Sequence, residues 1–220
     1  LEDANDIELT QFRRWYSQAG TPVVKAEWQY EAESKRFILT LSQSCPPTPD
    51  QDQKEPFQIP IAIGLLDSEG NDLPLKFSGE SAGETTRVLP LTEPEESYIF
   101  EDIPEEPVPS LLRGFSAPIK MKSSLNDKQR AFLMAHDSDD FNRWDAGQQL
   151  AVGILCRLQE DLQKAEALEL DPLLISAFEK ILKDDEVDKA LAAQALVLPS
   201  EGYIAEFVSP IDPSAIHTVR

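Results

Sequence analysis

The distribution of prolines and apolar residues divides this chain into two parts that follow different patterns. Thirteen of the 17 prolines lie between residues 22 and 118. A proline lacks the amide hydrogen that helix interiors and central strands need, so this stretch favours loops and edge strands. Apolar residues alternate with polar ones there, whereas beyond Lys122 they recur at every third or fourth position. The patterns predict a β domain at residues 22–122 and an α-helical domain at residues 123–220, preceded by a helix and linker at residues 1–21.

The first domain is predicted to be an immunoglobulin-like antiparallel β-sandwich. Val24, Ala26, Trp28 and Tyr30 alternate with polar neighbours, as they would in a strand with one buried face. Turn-forming residues recur about every ten residues, which is typical of a sandwich of about seven short strands. The strands are predicted at residues 23–30, 35–43, 57–65, 73–77, 86–91, 97–103 and 111–120, and a short helix at residues 7–18 precedes them.

The second domain is predicted to be an array of stacked helical hairpins, because helix signals follow one another with short loops between them. Asn126 or Asp127 is a candidate cap for its first helix, and Ser138 or Asp139 for its second. Later helices are predicted to begin after Asp171, to cover about residues 186–196 and 199–207, and to begin again after Asp212.

The second of these helices is the longest. Its spacing of apolar and small residues predicts one buried face, made of Trp144, Gly147, Ala151, Ile154, Leu155, Leu158, Leu162 and Ala165. Gly147 and Gly153 each lower helix propensity by about 1 kcal/mol relative to alanine. That cost predicts another backbone packed close to the helix.

The charge and the cysteines of the chain restrict its partners and its compartment. With 40 acidic and 20 basic residues the net charge is -20, so neither the phosphates of nucleic acid nor an anionic membrane surface is an expected partner. The chain has no run of about 18 apolar residues, which a membrane-spanning helix requires. Cys45 and Cys156 fall in different predicted domains and are expected to be free thiols in a reducing compartment, with Cys156 buried as a structural thiol. Leu1 is not a start methionine, and Leu1 to Asp6 is acidic where a signal peptide would be basic, so we expect the ordered part to begin inside a longer protein.

Two groups of residues have the composition of a catalytic or metal site, and each has a structural explanation. Gly79 to Gly83 reads Gly-Glu-Ser-Ala-Gly, the pattern around a serine hydrolase nucleophile, but no helix signal follows it. We interpret it as a glycine-rich hairpin loop. His136 is followed by Asp137, Asp139 and Asp140, which suit the positive start of the next helix and are interpreted as a capping turn.

The remaining acidic clusters are also interpreted as structural features rather than as catalytic or metal sites. Asp67, Glu69 and Asn71 begin like a calcium loop, but Asp72 stands where that loop requires glycine, so a hairpin turn is expected. The other acidic runs are interpreted as solvated surface, at residues 93–96, 101–102, 105–106 and 184–186. The residues themselves therefore predict no catalytic, cofactor-binding or metal site.

Three stretches resemble the bacterial aminopeptidase N family, the zinc-dependent alanyl aminopeptidases of the gluzincin class. Asp6 to Pro22, DIELTQFRRWYSQAGTP, is similar to the junction between the catalytic domain of that family and its small β-sandwich. Phe115 to Lys120, FSAPIK, resembles the last strand of the sandwich. Asp140 to Ala146, DFNRWDA, resembles the start of the α-helical carboxyl-terminal domain. The resemblance covers essentially the whole chain in the same order.

The resemblance implies a cytoplasmic enzyme that removes neutral or basic residues from the amino ends of peptides. In that family a helical His-Glu-x-x-His motif and a more distant glutamate hold zinc, and a Gly-x-Met-Glu-Asn loop binds the free amino group. Neither motif occurs in these 220 residues, so no catalytic, cofactor-binding or metal residue is carried over. The implied role is a non-catalytic segment, with the sandwich as a spacer and the helices as part of the wall of the peptide chamber.

The resemblance also implies the partners of this segment. These are the catalytic domain of its parent, further carboxyl-terminal helices beyond Arg220, and the peptide substrates of the parent, whose cofactor would be zinc. A second function stays open, a non-enzymatic protein-interaction scaffold built from the same two domains. The two differ in whether the gene encodes an intact zinc motif upstream of Leu1.

Overall fold

The computed structural model describes residues 8–184 and 188–220, and the chain in it divides into two units, Leu1–Ser124 and Leu125–Arg220. The predicted helix at residues 7–18 therefore begins outside the described residues, at Ile7. Its described part is shorter than predicted, because residues 10–13 form turns and only α1, Arg14–Ser17, is helical.

The first unit is a β-sandwich of two sheets. Its described residues form seven strands: β1 at Val23–Glu31, β2 at Arg36–Ser44, β3 at Ile59–Leu66, β4 at Arg87–Leu91, β5 at Glu95–Phe100, β6 at Val108–Leu111 and β7 at Lys120–Ser123. One sheet has the order β5-β2-β1-β7 and the other β4-β3-β6. The strand pairs are antiparallel as predicted, except that β7 runs parallel to β1, with Val23 opposite Lys120.

The core of the sandwich lies between the sheets and follows the alternation in the sequence. In the first sheet, Ala26 of β1 is paired with Leu41 of β2, and both are fully buried. In the second sheet, Ile61 of β3 and Leu89 of β4 are likewise paired and fully buried. Because successive strand residues point to opposite faces, this pairing places one apolar face of each sheet in a common core.

Strand β3 is buried on its other face as well, by an arginine. The Arg113 side chain is 4% exposed and forms an ion pair with Asp72 at 2.6 Å. Its guanidinium also donates to Ser110 Oγ and Thr86 Oγ1, both at 2.8 Å. It lies directly over Gly64 of β3, where a Cβ atom would overlap the guanidinium carbon. The absence of a side chain at position 64 is therefore what makes room for the buried charge.

Two predicted strands are wrong. Residues 73–77 contain one isolated bridge, between Leu75 and Glu84, rather than a strand. Pro74 has no amide hydrogen, and its neighbours bond to different segments, Leu73 to Leu65 and Leu75 to Glu84. The predicted strand at 111–120, and with it the last strand proposed at 115–120, is interrupted.

The interruption has a backbone cause. Strand β6 ends at Leu111, after which Leu112, Gly114 and Phe115 take positive φ angles of 63°, 60° and 50°. A 3₁₀ turn forms at Arg113–Phe115, and the last strand of the sandwich, β7, begins only at Lys120. Positive φ lies outside the extended β region, so a continuous strand cannot pass through these residues.

The second unit is helical. Its described helices are α2 at Asp127–His136, α3 at Asp140–Gln163, α4 at Pro172–Lys183, α5 at Lys189–Ala195, α6 at Glu201–Ile204 and α7 at Pro213–Val219, with a 3₁₀ turn at Ala205–Phe207. The predicted caps are confirmed. Asn126 forms a capping box with Gln129, and Asp139, Asp171 and Asp212 each accept a backbone hydrogen bond at the start of a helix. The predicted helix at 186–196 begins at Lys189, and residues 185–187 lie outside the described part.

The predicted buried face of α3 is only partly right. Gly147, Ala151, Ile154, Leu155 and Leu158 are buried as predicted. Trp144 is 38% exposed, Leu162 is half-buried and Ala165 is exposed. Ala165 is not on the helix at all, since α3 ends at Gln163.

The nearest neighbours of the two glycines of α3 are side chains and not another backbone. A Cβ on Gly147 would meet the Met134 side chain of α2 at 3.2 Å, and one on Gly153 would have only Arg157 of the same helix nearby, at 3.6 Å. Gly147 is therefore explained by a side-chain contact between α2 and α3. We have no structural explanation for Gly153.

Candidate functional site

The serine hydrolase pattern at Gly79 to Gly83 lies in a loop closed by an ion pair. Glu80 accepts two hydrogen bonds from the Arg87 guanidinium, at 2.6 and 2.8 Å, and one from the Phe77 amide at 2.9 Å. These contacts, with Arg87 first, lower the pKa of Glu80 to about 2. The residues that follow are bends and strand β4. The loop thus lacks the helix that a nucleophile of this type needs.

The residues around His136 close the end of α2 and open α3. The His136 ring stacks on Phe132, with centroids 4.6 Å apart, and contacts Lys180 Nζ through a ring nitrogen. Asp137 is 1% exposed and accepts a hydrogen bond from the amide of Asp139 at 3.0 Å. Within residues 8–184 and 188–220, no three His, Cys, Asp or Glu side chains are grouped as metal ligands.

The other acidic candidates are local turns. The Asp67 carboxylate accepts hydrogen bonds from the Asn71 side chain and from the amides of Asn71 and Glu69, which lower its pKa. In the run at 93–96, Glu96 is not simply solvated. Burial would raise the pKa of Glu96, but hydrogen bonds led by those from Tyr98 and Thr92 outweigh it and lower the pKa. The run at 184–186 continues outside the described residues.

A docked amino-terminal segment, residues 9–19, is the feature that sequence reasoning missed. Trp15 packs against Phe57, with ring centroids 4.7 Å apart, and its indole N–H donates to the Gln58 carbonyl at 2.9 Å. Arg14 donates to the Pro56 carbonyl at 2.5 Å and pairs with Glu55 at 2.7 Å. The helical turn is thereby fixed to the loop that leads into β3.

Three glutamine side chains complete the docking. Gln18 exchanges two hydrogen bonds with the backbone of Glu55, at 2.9 and 2.7 Å. Gln51 does the same from the sandwich side, donating to Ser17 and accepting from Ala19 at 2.7 and 2.8 Å. Gln11 donates to the Thr92 carbonyl at 2.6 Å. No periodic pattern marks such residues, because each bonds to backbone more than 30 positions away.

Both cysteines are free thiols in the structure. Cys45 lies beside the docked segment, where a Cβ on Gly20 would come within 3.1 Å of its sulfur. Cys156 of α3 is only half-buried, which corrects the predicted buried thiol. Burial, and then the neighbouring Glu160 carboxylate, raise the pKa of Cys156.

Both units of the chain match known protein families. Residues 20–124 match a domain of unknown function with an Ig-like fold (DUF3458), and residues 127–220 match its carboxyl-terminal companion, described as ARM repeats (DUF3458_C). Aminopeptidase N of Escherichia coli is 42% identical over all 220 residues, and aminopeptidase N of Haemophilus influenzae is 38% identical over the same length. The chain belongs to the aminopeptidase N family. It spans about 25% of the length of these curated relatives.

A solved structure that is similar over the whole chain confirms the fold. Legionella pneumophila aminopeptidase A, crystallised with aspartic acid, superposes with a TM-score of 0.78 at 25% identity, covering 100% of this chain and 23% of that one. An Ig-like β domain followed by ARM-like helices is therefore the architecture of this aminopeptidase N segment. None of its described helices is both long and apolar enough to cross a membrane.

Proposed function

We propose that this chain is a non-catalytic segment of a zinc-dependent aminopeptidase that removes amino-terminal residues from peptides. The proposal rests on similarity to aminopeptidase N along the whole chain, together with the small share of those relatives that the chain covers. The residues present do not fit the zinc centre of such an enzyme. The sequence has only two histidines, His136 and His217, and no His-Glu-x-x-His motif. We therefore assign the chemistry to the parent and none of it to this segment.

The sandwich is proposed to act as a spacer, and the docked amino-terminal segment supports this. A spacer must hold the preceding part of the chain in one direction. Here the bonds converge on the backbone of residues 55–58, which lead into β3, and on Thr92, which follows β4. The aromatic contact of Trp15 with Phe57 adds apolar burial to that network. Together they make the last turn before β1 part of the sandwich rather than a loose linker.

The helices are proposed to form part of the wall of the peptide chamber, in contact with the catalytic domain and with further carboxyl-terminal helices. Exposed apolar side chains that share one helix face support this, since grouped apolar residues mark contact surfaces whereas single ones are common on any protein. On α4, Ile175 is 42% exposed and Leu182 is 70% exposed, and they lie seven positions apart on one helix face. Leu170, just before the helix, is 59% exposed.

Metal and peptidase measurements test the assignment. We expect the 220-residue chain to contain no stoichiometric zinc and to leave an alanyl anilide substrate uncleaved. The gene upstream of Leu1 should encode the zinc motif, and cell fractionation should find the parent in the bacterial cytoplasm. One tightly bound zinc per chain would refute the assignment. A reading frame with a broken zinc motif would favour the protein-interaction scaffold instead.

A further inference from the structure

The outer face of the first sheet of the sandwich is an ordinary solvated surface. Its outward side chains are largely polar, and several of them bond to one another. Lys25 pairs with Glu27 at 2.8 Å. The hydroxyl groups of Thr40 and Ser97, which lie opposite each other on β2 and β5, are hydrogen bonded at 2.8 Å. An antiparallel sheet that packs on a core with one face and meets water with the other is expected to have this composition.

The outer face of the second sheet is apolar along the β3–β4 pair. Two cross-strand pairs point outward there, Pro60 with Pro90 and Ala62 with Val88, because the alternate residues of both strands fill the core. Val88 is 57% exposed, both prolines are exposed, and the small Ala62 side chain is 7% exposed. We call these four residues the β3–β4 patch. It departs from the polar composition of the other outer face.

The rest of this outer face is covered by the chain itself. Further along β3, Gly64 lies under the guanidinium of Arg113. Beside the patch, the amide of Ala62 donates to the hydroxyl of Ser116 at 2.9 Å, and the preceding Phe115 is 50% exposed. The loop after β6 therefore borders the patch and adds an exposed aromatic ring to it.

A partner of the patch would pack on the face of the sheet and not pair with its edge. Strand β4 is at the edge of its sheet, in the order β4-β3-β6. Pro90 has no amide hydrogen, and its carbonyl already accepts a hydrogen bond from the Tyr98 hydroxyl at 2.9 Å. An incoming strand would find no donor at that position and an acceptor already in use. Pairing of β4 with a strand of a second copy is therefore disfavoured.

The docked amino-terminal segment reaches the sandwich next to this patch. The Trp15 indole donates to the carbonyl of Gln58, two positions before Pro60. Gln11 donates to the carbonyl of Thr92, two positions after Pro90. Glu8, where the described chain begins, lines a groove together with Thr92. A domain that precedes the segment is therefore tethered within reach of the patch.

We propose that the β3–β4 patch is a docking surface for the part of the parent aminopeptidase that precedes this chain, through an apolar surface on that part. Apolar side chains grouped on one face mark contact surfaces. The contact would continue the interface that residues 9–19 make with the sandwich. The chain covers only 25% of its aminopeptidase N relatives, so most of such a protein lies outside it. The inference rests on the proposed function, which places the catalytic part before Leu1.

Alkylation of an introduced cysteine measures whether the patch is covered. Val88→Cys is made in the 220-residue chain and in the full-length parent, and its reaction with iodoacetamide is followed by mass spectrometry of the peptide that contains position 88. Ile99→Cys is the matched control, because Ile99 is also β-branched, is 44% exposed and lies on the outer face of the other sheet. We expect position 88 to react at least about tenfold more slowly in the parent than in the chain, and position 99 to react equally in both, since a thiol reacts only where the reagent reaches it.

A charged substitution gives a second measurement. Val88→Asp should lower the midpoint of thermal unfolding more in the parent than in the 220-residue chain, because only the parent would bury the new carboxylate against an apolar partner. Ile99→Asp should change the midpoint by the same amount in both proteins. Unfolding of the 220-residue variants also checks that the sandwich still folds.

Three results would overturn the inference. One is alkylation of Val88→Cys at the same rate in the chain and in the parent. The second is equal slowing at positions 88 and 99, since the parent would then shield the sandwich without regard to the patch. The third is slow alkylation of position 88 already in the 220-residue chain that is lost on dilution, which would make a second copy the occupant. None of these measurements uses activity, so a parent without zinc or peptidase activity would refute the proposed function, while alkylation would still decide the docking.

Discussion

Replacement of Trp15 by alanine should release the docked amino-terminal segment while the sandwich stays folded. The substitution removes three stabilising contributions: the hydrogen bond from the indole to Gln58, the ring contact with Phe57, and the apolar area that Trp15 buries. Each contributes about 1 kcal/mol for a partly buried side chain. The sum is about 3 kcal/mol, which is roughly a hundredfold increase in the population of the undocked segment.

Limited proteolysis with trypsin measures that population. Cleavage after Arg13 and Arg14 requires the segment to leave the sandwich, so its rate follows the undocked fraction when docking is fast. Trp15→Ala should be cleaved about a hundredfold faster than the unmodified chain, and Trp15→Phe, which keeps a ring but loses the hydrogen bond, about fivefold faster. Tyr16 is the matched control, since it is the next residue and is 83% exposed.

The reasoning is refuted if Trp15→Ala and Tyr16→Ala are cleaved at the same rate. It is also refuted if Trp15→Ala lowers the denaturation midpoint of the sandwich as much as a core substitution such as Leu39→Ala does, because the segment would then be part of the core. Leu39 is fully buried in β2 and provides that reference.

Two further predictions concern a glycine inside β3 and the loop that precedes β4. Gly64→Ala should destabilise the sandwich by about 3 kcal/mol in urea denaturation, because the new methyl group displaces the buried guanidinium of Arg113. The control is Gly202→Ala in α6, where the space around the glycine is open. Its free energy of unfolding should stay within about 1 kcal/mol of that of the unmodified chain. Equal effects of the two would contradict the packing described. The folded-state pKa of Glu80 is about 2 against an ordinary value of 4.5, so its ion pair with Arg87 stabilises the fold fully above pH 4.5 and is lost as the pH falls towards 2. Titration of the Glu80 carboxyl group followed by NMR should show this low midpoint. Glu80→Gln should remove the corresponding pH dependence of stability. A midpoint near 4.5 would show that the ion pair does not form.

The sequence was sufficient for features that depend on neighbouring residues. Alternation along β1 and β2 predicts their buried faces, since successive side chains point to opposite sides. Asn126 and Asp171 predict helix starts, because capping needs only the amides two or three residues ahead. These rules act over a few positions and therefore transfer from sequence to structure.

Features that depend on distant residues were missed or predicted wrongly. The apolar residues of 73–77 have the pattern of a strand, but Pro74 and the distant carbonyls of Leu65 and Glu84 divide their pairing. The docked segment rests on side chains that bond to backbone far along the chain. This arrangement produces no period that a sequence pattern would reveal.

The parallel pairing of β1 with β7 determines how the first unit would respond to tension. The chain enters this sheet at Val23 and leaves it at Ser123, and these ends belong to two strands that lie side by side and run in the same direction. A pull on the two ends would slide β1 against β7 lengthwise, so that their ladder of hydrogen bonds is strained together rather than opened one bond at a time. The sandwich is therefore built to withstand stretching along the chain better than an antiparallel pair of terminal strands would, although β7 is only four residues long.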